Sequence, residues 1–390
     1  SAGIEPLFAA VNGPAPTVDC QFHLWAWTAF VHFTQLASNG QPAFMSLPTP
    51  SQLSSGAASD GRLRLAPRDI KRSQVGEINQ AGSNGVLVDQ RGRAVYYSTH
   101  MDQGYFDFAK QNYGVAKFNA ASPDADFPVG STVIKAAWRQ VAPGENTSGM
   151  FTATADIAEL VNGTGVNATV QTSGKYIQDV EVALVGMHVV SVLVDHPEFA
   201  WATFELEGNS PNLPAGMSPT SSGPVDAKTY TFYQGGTAAK DCNTYAEGTT
   251  VTVDAATQIC SPKTEVFREF RHGGADPSRA ADIDQVNAEF KAQLPMEAKS
   301  NPRLDPVFAA YTLVGTVWQE ANTLKPGLAH MNTTSIGSVS LMNSTMETYV
   351  QGKGQSCFSC HNTAAGSGPA GSYQASNLAL SHILLGPFFQ

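Results

Sequence analysis

The sequence predicts an α+β fold, a β-rich scaffold with a few peripheral helices, and three observations point there. Ser131 to Val141, Tyr176 to Val194, Phe199 to Leu206 and Tyr311 to Trp318 are rich in β-branched and aromatic residues and read as strands. Helical spacing of apolar residues is confined to a few separate segments. At 390 residues the chain is long enough to bury a sizeable core, in one large domain or two.

The elements follow in order. Asp19 to Ala37 brings Phe22, Trp25, Phe30 and Phe33 near helical spacing, with Thr17 or Asp19 as caps and Gly40 beyond the end. This is one aromatic-faced helix, its rings read as core. Pro48 to Gly61 is a loop. Val86-Leu87-Val88 and Ala94 to Tyr97 flank a turn containing Gly92 and suggest a β-hairpin. A short helix runs from Asp102 to Asn112, stopped by Gly114. The strand Tyr176 to Val194 is apolar on both faces and is expected to be central and doubly buried. On strict alternation His188 shares its face with Val182, Leu184, Val190 and Val192, while Met187 points to the other.

Residues 208–224 hold four prolines and mark a long loop or a domain joint. Short strands are expected within 228–270. Asp276-Pro277 then reads as an N-cap with proline in the first turn, and Ile283, Val286, Phe290 and Leu294 continue a helix. Ser344 to Glu347 fits a capping box that opens a short helix carrying Tyr349 toward the C-terminal segment. Thr363 to Ser372 reads as a flexible small-residue stretch, followed by an apolar tail from Leu378 to Phe389. The division is thus a scaffold over 1–340, with its joint near 208–224, and a segment over 341–390 packed on it.

That segment carries the chemistry. Cys357-Phe358-Ser359-Cys360-His361 spells C-x-x-C-H, the pattern by which a haem is attached through two thioethers and ligated by the histidine. The two-residue gap puts both sulfurs in reach of one haem edge, and the adjacent imidazole reaches the iron. Structural zinc would need a second closely spaced pair of ligands, and the sequence has none. A thioredoxin-like site belongs after a strand in a βαβ unit, whereas this motif sits in Gly- and Ser-rich sequence. One covalent haem c per chain is therefore expected, with Cys357 and Cys360 as its attachment points and His361 as the proximal ligand.

Charged residues make up only 14% of the chain, a composition resembling exported proteins. Bacterial haem c attachment also takes place outside the cytoplasm, so a periplasmic or secreted location with the signal peptide removed is expected. The net charge of −10 argues against nucleic acid as a partner. The longest apolar stretch, Val182 to Val194, is interrupted by Gly186, His188 and Ser191, so no membrane span is expected. With Cys357 and Cys360 assigned to haem, an oxidising compartment favours a Cys242–Cys260 disulfide and leaves Cys20 as the odd thiol. Nucleophile-elbow, zinc-helix, EF-hand and phosphate-loop motifs are absent.

Together, Phe22 to Phe33 (FHLWAWTAFVHF), Val133 to Arg139 (VIKAAWR), Gly186 to Val190 (GMHVV), His196 to Glu205 (HPEFAWATFE), Tyr311 to Trp318 (YTLVGTVW) and Asn343 to His361 resemble a family of exported bacterial c-type cytochrome-like proteins with a single C-terminal haem motif. The resemblance covers most of the chain. It implies export, haem and one integrated fold, and supplies no substrate.

Position of the motif narrows the function. Small electron-carrying cytochromes c place it near the N-terminus with a distal methionine after it, whereas here no methionine follows His361. A late motif also occurs in cytochrome c-prime and in its β-sheet counterpart, which is related to the lysine-cross-linked hydroxylamine-oxidising cytochromes. The strand-rich reading makes the second comparison the closer one. Distal candidates are Met187, His188, Lys135 and His382, and catalytic candidates are His188, His196, with its flanking carboxylates, and Tyr349. The expectation is a haem-dependent oxidoreductase with an open distal site, acting on a small molecule by peroxidase-like or nitrogen-oxide chemistry, with a redox protein as a further partner. The alternatives are a six-coordinate electron-transfer cytochrome and a sensor of small haem ligands.

Overall fold

A computed structural model of the chain describes residues 19–56, 59–66, 86–163, 170–243, 251–274, 277–329, 331, 334–340, 343–348 and 357–389. Its helices are α1 (Asp19–Thr34), α2 (Pro50–Ser55), α3 (Gln103–Asn112), α4 (Val115–Ala120), α5 (Pro277–Glu297), α6 (Cys357–Cys360) and α7 (His382–Leu385). Strands β1 (Arg64–Leu65), β2 (Val95–Met101), β3 (Thr132–Gln140), β4 (Thr152–Asn162), β5 (Val170–Leu193), β6 (His196–Leu206), β9 (Tyr311–Gln319) and β10 (Ser335–Gly337) form one eight-stranded sheet. Two small hairpins stand apart, β7 (Thr252–Asp254) with β8 (Ile259–Ser261), and β11 (Gly366–Gly368) with β12 (Gly371–Tyr373). The expected β-rich α+β architecture is present.

The sheet is organised around β5, which pairs with β3, β4 and β6, all antiparallel. Only its second half is doubly buried: residues 172–176 are exposed, whereas Val182 to Leu193 are buried at every position except His188. A register shift between Ala137 and Trp138 of β3 sets Ala137 opposite Gly186 and Trp138 opposite Leu184, leaving Val185 as the extra residue. The bulge reverses the alternation. Val182 and Leu184 therefore share a core with Val185, Met187 and Val189, while Val190 and Val192 belong to the other face. The face expected for His188 is corrected accordingly: it keeps Val190 and Val192 and loses Val182 and Leu184.

Each face of the sheet has its own core. On one, α1 and α5 bury Trp27, Phe30, Ile283, Val286, Phe290 and Leu294 against Met187, Phe204 and Leu313. Trp27 stacks on Phe290 at 5.2 Å, and its indole N–H donates to Asn287 Oδ1 at 2.8 Å. On the other, Tyr105 and Ala109 of α3 and Phe118 of α4 join Val190, Val192, Trp201, Phe358 and the tail from Leu378 to Phe388. The C-terminal segment is thus packed directly on the sheet.

Helix boundaries largely follow the sequence signals. Asp102 caps α3, its carboxylate accepting the Tyr105 N–H at 2.6 Å, and the 86–97 hairpin turns at Gly92 with φ +79°. Residues 343–348 form turns instead of the expected helix, and the cap is Asn343, not Ser344. Asn343 Oδ1 accepts the Thr345 N–H at 2.9 Å, while Glu347 Oε2 accepts the Asn343 N–H at 2.9 Å. Thr363 to Ser372, read as flexible, contains the β11–β12 hairpin. Thr17, Asp276 and Tyr349 lie outside the described residues.

The expected Cys242–Cys260 disulfide is not formed, and both thiols are free. Cys242 is buried in a small cluster with Val225, Tyr233, Ala239 and Phe267, whereas Cys260 packs into the main core. Cys260 lies on β8 opposite Val253. Burial pushes the Cys242 thiol up to about 12 and that of Cys260 up to about 11, so both behave as small apolar side chains.

Candidate functional site at the C-terminal histidine

Residues 357–360 form one helical turn, closed by the His361 N–H donating to the Cys357 carbonyl at 2.8 Å. Positions three apart on such a turn share a face, so the two thiols of Cys357 and Cys360 project together. Phe358 points into the core beneath, its ring 6.0 Å from that of Trp201 on β6. This buried anchor explains why the turn sits where it does.

His361 is fixed from three directions. Its ring lies 4.2 Å from the Trp201 ring and stacks on His382 at 3.8 Å with an interplanar angle of 14°. Its Nδ1 lies 2.8 Å from the Leu380 carbonyl. A carbonyl only accepts, so Nδ1 carries the proton and Nε2 keeps its lone pair. A backbone carbonyl behind a ligating histidine is the usual device for setting its tautomer and direction. Burial holds the His361 pKa well below the ordinary value, with His382, Lys135 and His188 adding to the effect and the Leu380 bond opposing it. The Cys357 thiol is held well above its ordinary value, first by burial and then by Glu347 and Cys360.

Lys135 on β3 and His188 on β5 are directly paired across the sheet, and His188 is in turn paired with Thr203 on β6. Thr203 and Trp201 are two apart on β6, so His188 and Trp201 are diagonal neighbours on the motif side. Lys135 Nζ lies 5.9 Å from the Tyr97 ring centre, and the Tyr97 hydroxyl donates to the Thr345 carbonyl at 2.7 Å. His188 Nε2 lies 3.0 Å from Glu347 Oε1.

The strip bearing Glu347 is seated firmly on β6. Asn343 Nδ2 donates to the Phe204 carbonyl at 2.7 Å and to Thr203 Oγ1 at 3.1 Å. The Ser344 N–H donates to Glu205 Oε2 at 3.2 Å, and the same oxygen meets Arg268 at 3.0 Å. The strip passes so close to β5 that a Cβ at Gly186 would strike Thr345 Oγ1 and lie 3.2 Å from both side-chain atoms of the Asn343 amide. Glycine at 186 is required by this approach.

The expected site residues therefore separate. Cys357, Cys360, His361 and His382 come together, and Lys135 and His188 lie on the sheet face that bears Trp201. Met187 does not: it is fully buried in the opposite core, because the bulge and strand alternation turn it away from the motif. His382 stands beside His361 with parallel rings, a geometry in which the two imidazoles do not face each other across a metal. His196 also lies elsewhere. It packs against Phe22 of α1 at 5.1 Å and pairs through Nδ1 with Glu198 Oε1 at 2.8 Å, and that carboxylate oxygen also accepts the Gln319 N–H at 3.1 Å. That arrangement ties β6 to β9 and serves the fold.

Glu347 and Trp201 escaped the sequence reading as site residues. Glu347 was legible only as part of a capping box, and Trp201 only as a strand aromatic, because their convergence depends on strand register. Among the described residues no group of three or more His, Cys, Asp and Glu side chains could hold a metal ion. The donor chemistry fits a covalent haem: two thiols on one face of a helical turn, followed by an imidazole with a fixed tautomer and an available Nε2. Comparison with family models, curated proteins and solved structures finds no match for this chain.

Proposed function

We propose that this chain is an exported single-haem c-type cytochrome, haem attached at Cys357 and Cys360 and ligated by His361, acting as an oxidoreductase on a small molecule. The observation that carries the reading is the His361 imidazole, whose Nδ1 is engaged by Leu380 while Nε2 remains for a ligand, immediately after the paired thiols. Haem would supply the redox-active iron. The chain's own residues orient the proximal ring through Leu380 and Trp201, and the sheet carries Lys135 and His188 on the face that bears Trp201. Their nitrogens are suited to hold or deliver a proton beside a small ligand.

Met187 faces the other core and His382 stands alongside His361, so neither supports a filled sixth position. This favours an open distal face over a simple carrier. The six-coordinate reading keeps one supporting observation, the place of His188 diagonal to Trp201, against which His361 packs. The low charge content and the need for extracytoplasmic haem attachment support a periplasmic or secreted location. No helix among the described residues is long and apolar enough to cross a membrane.

The test is expression in a host competent for haem c maturation, followed by acid-acetone extraction and spectra with and without carbon monoxide. Colour retained on the protein, one iron per chain and a carbon monoxide response are expected. Extractable pigment, or stoichiometric zinc without iron, would remove the haem assignment. A low-spin spectrum in both redox states that ignores carbon monoxide would instead favour the electron carrier.

A further inference from the structure

Within the buried run Val182 to Leu193 of β5, His188 is the one position that keeps some exposure, and that is where an acidic side chain meets it. His188 and Glu347 are 15% and 18% exposed, with Nε2 and Oε1 3.0 Å apart. The nitrogen is buried and has no aligned hydrogen bond to any protein group, so its contact with the carboxylate is one of proximity. A carboxylate this close occupies the space beside Nε2 into which the imidazole would otherwise turn.

Both ends of this contact are built in. Glu347 Oε2 accepts the Asn343 N–H at 2.9 Å, and the Asn343 amide donates to Thr203 Oγ1, the side chain paired with His188 across the sheet. Glu347 is thus anchored to the strand beside the histidine it engages, and its freedom to swing away is small. Beside the pair are Lys135 of β3, paired with His188 across the sheet, and Cys357, whose thiol Glu347 influences.

We infer that Glu347 is a positioning residue that keeps His188 off the iron, so that the distal face stays open and His188 remains a reserve ligand. The inference rests on the haem assignment above and specifies how coordination at that site is controlled. Without the carboxylate, the His188 imidazole loses the group packed against its Nε2 and becomes free to turn and coordinate.

The experiment compares wild type, Glu347→Ala, Glu347→Ser, His188→Ala and the Glu347→Ala/His188→Ala double variant as holoproteins, by absorption spectra and cyanide titration. Haem content of the wild type is measured first, so that absence of covalent haem is recognised as failure of the underlying assignment. Glu347→Ala is expected to turn low-spin. If His188 coordinates in nine molecules of ten, apparent cyanide affinity falls about tenfold. The double variant is expected to return to the open spectrum and to wild-type affinity. Should Glu347→Ala fail to fold, Glu347→Ser carries the same test, since it keeps a polar side chain on the strip while the carboxylate beside Nε2 is gone. An unchanged spectrum and affinity in the Glu347 variants overturns the inference, as does a low-spin form that survives removal of His188. A wild type already low-spin and opened by His188→Ala also overturns it, while leaving the haem assignment intact.

Discussion

His23 and His100 are buried deeply enough that their pKa values fall to about 4, burial being the main cause in each. His23 Nδ1 lies 3.2 Å from Thr316 Oγ1, and His100 Nε2 lies 3.0 Å from Ser98 Oγ. Each is neutral in the folded chain and takes up a proton on unfolding wherever the pH is below about 6.5. Stability from both is therefore fully present above pH 6.5 and lost as the pH falls toward 4, by about 3 kcal/mol each at most. Urea midpoints measured from pH 7 down to pH 4 are expected to fall, and His100→Gln to flatten that slope. A slope unchanged in His100→Gln would show that His100 does not titrate this way. His361 differs in kind: its ring is neutral too, but its second nitrogen remains available for a ligand.

The strip Asn343 to Thr348 owes its position to side chains from three strands, and Gly186 is the point at which it tolerates no bulk. Gly186→Ala places a methyl group against Thr345 and Asn343. The expected cost is about 1–3 kcal/mol in urea unfolding, as for other overpacked sites, with altered ligand binding because Glu347 moves with the strip. Gly104→Ala is the control, since there a Cβ meets only Asp102 Oδ1 at 3.5 Å. Equal stability of the two variants would show that the close approach is not tight. At this scale the sequence was a good guide to α1, α3, α5 and the strands, because caps, prolines and apolar spacing act locally. It misled at Ser344, where the cap is one residue earlier, at Pro48 to Gly61, where Thr49 and Gln52 cap the short helix α2 within the expected loop, and at Thr363 to Ser372, where small residues enter a hairpin.

At the scale of the molecule, the division of the sheet into two cores decides which groups meet the motif, and this was hidden from the sequence. Strict alternation gave His188 four valine and leucine neighbours on one face, and the bulge at Val185 gives it two. Nothing in the run of small apolar residues around Gly186 announces that shift, since β-bulges arise from pairing between distant strands. The motif itself was fully legible, because its chemistry needs a fixed spacing; Glu347 and Trp201 were not, because they reach it through register.

The same bulge makes β5 energetically two strands. Leu184 is packed among the residues beneath α1 and α5, whereas Val190 is packed with Trp201 and Phe358 on the other side. Truncation of each is expected to behave as though they belonged to separate proteins. Leu184→Ala should cost about 2–5 kcal/mol and leave ligand affinity at the motif unchanged, while Val190→Ala, a smaller loss of stability, should shift that affinity. Their free-energy changes should sum within about 0.5 kcal/mol in the double variant, despite lying six positions apart on one strand. A larger coupling between them would mean that the sheet transmits strain across its thickness, and that the apolar half of the molecule helps tune the half that bears the chemistry.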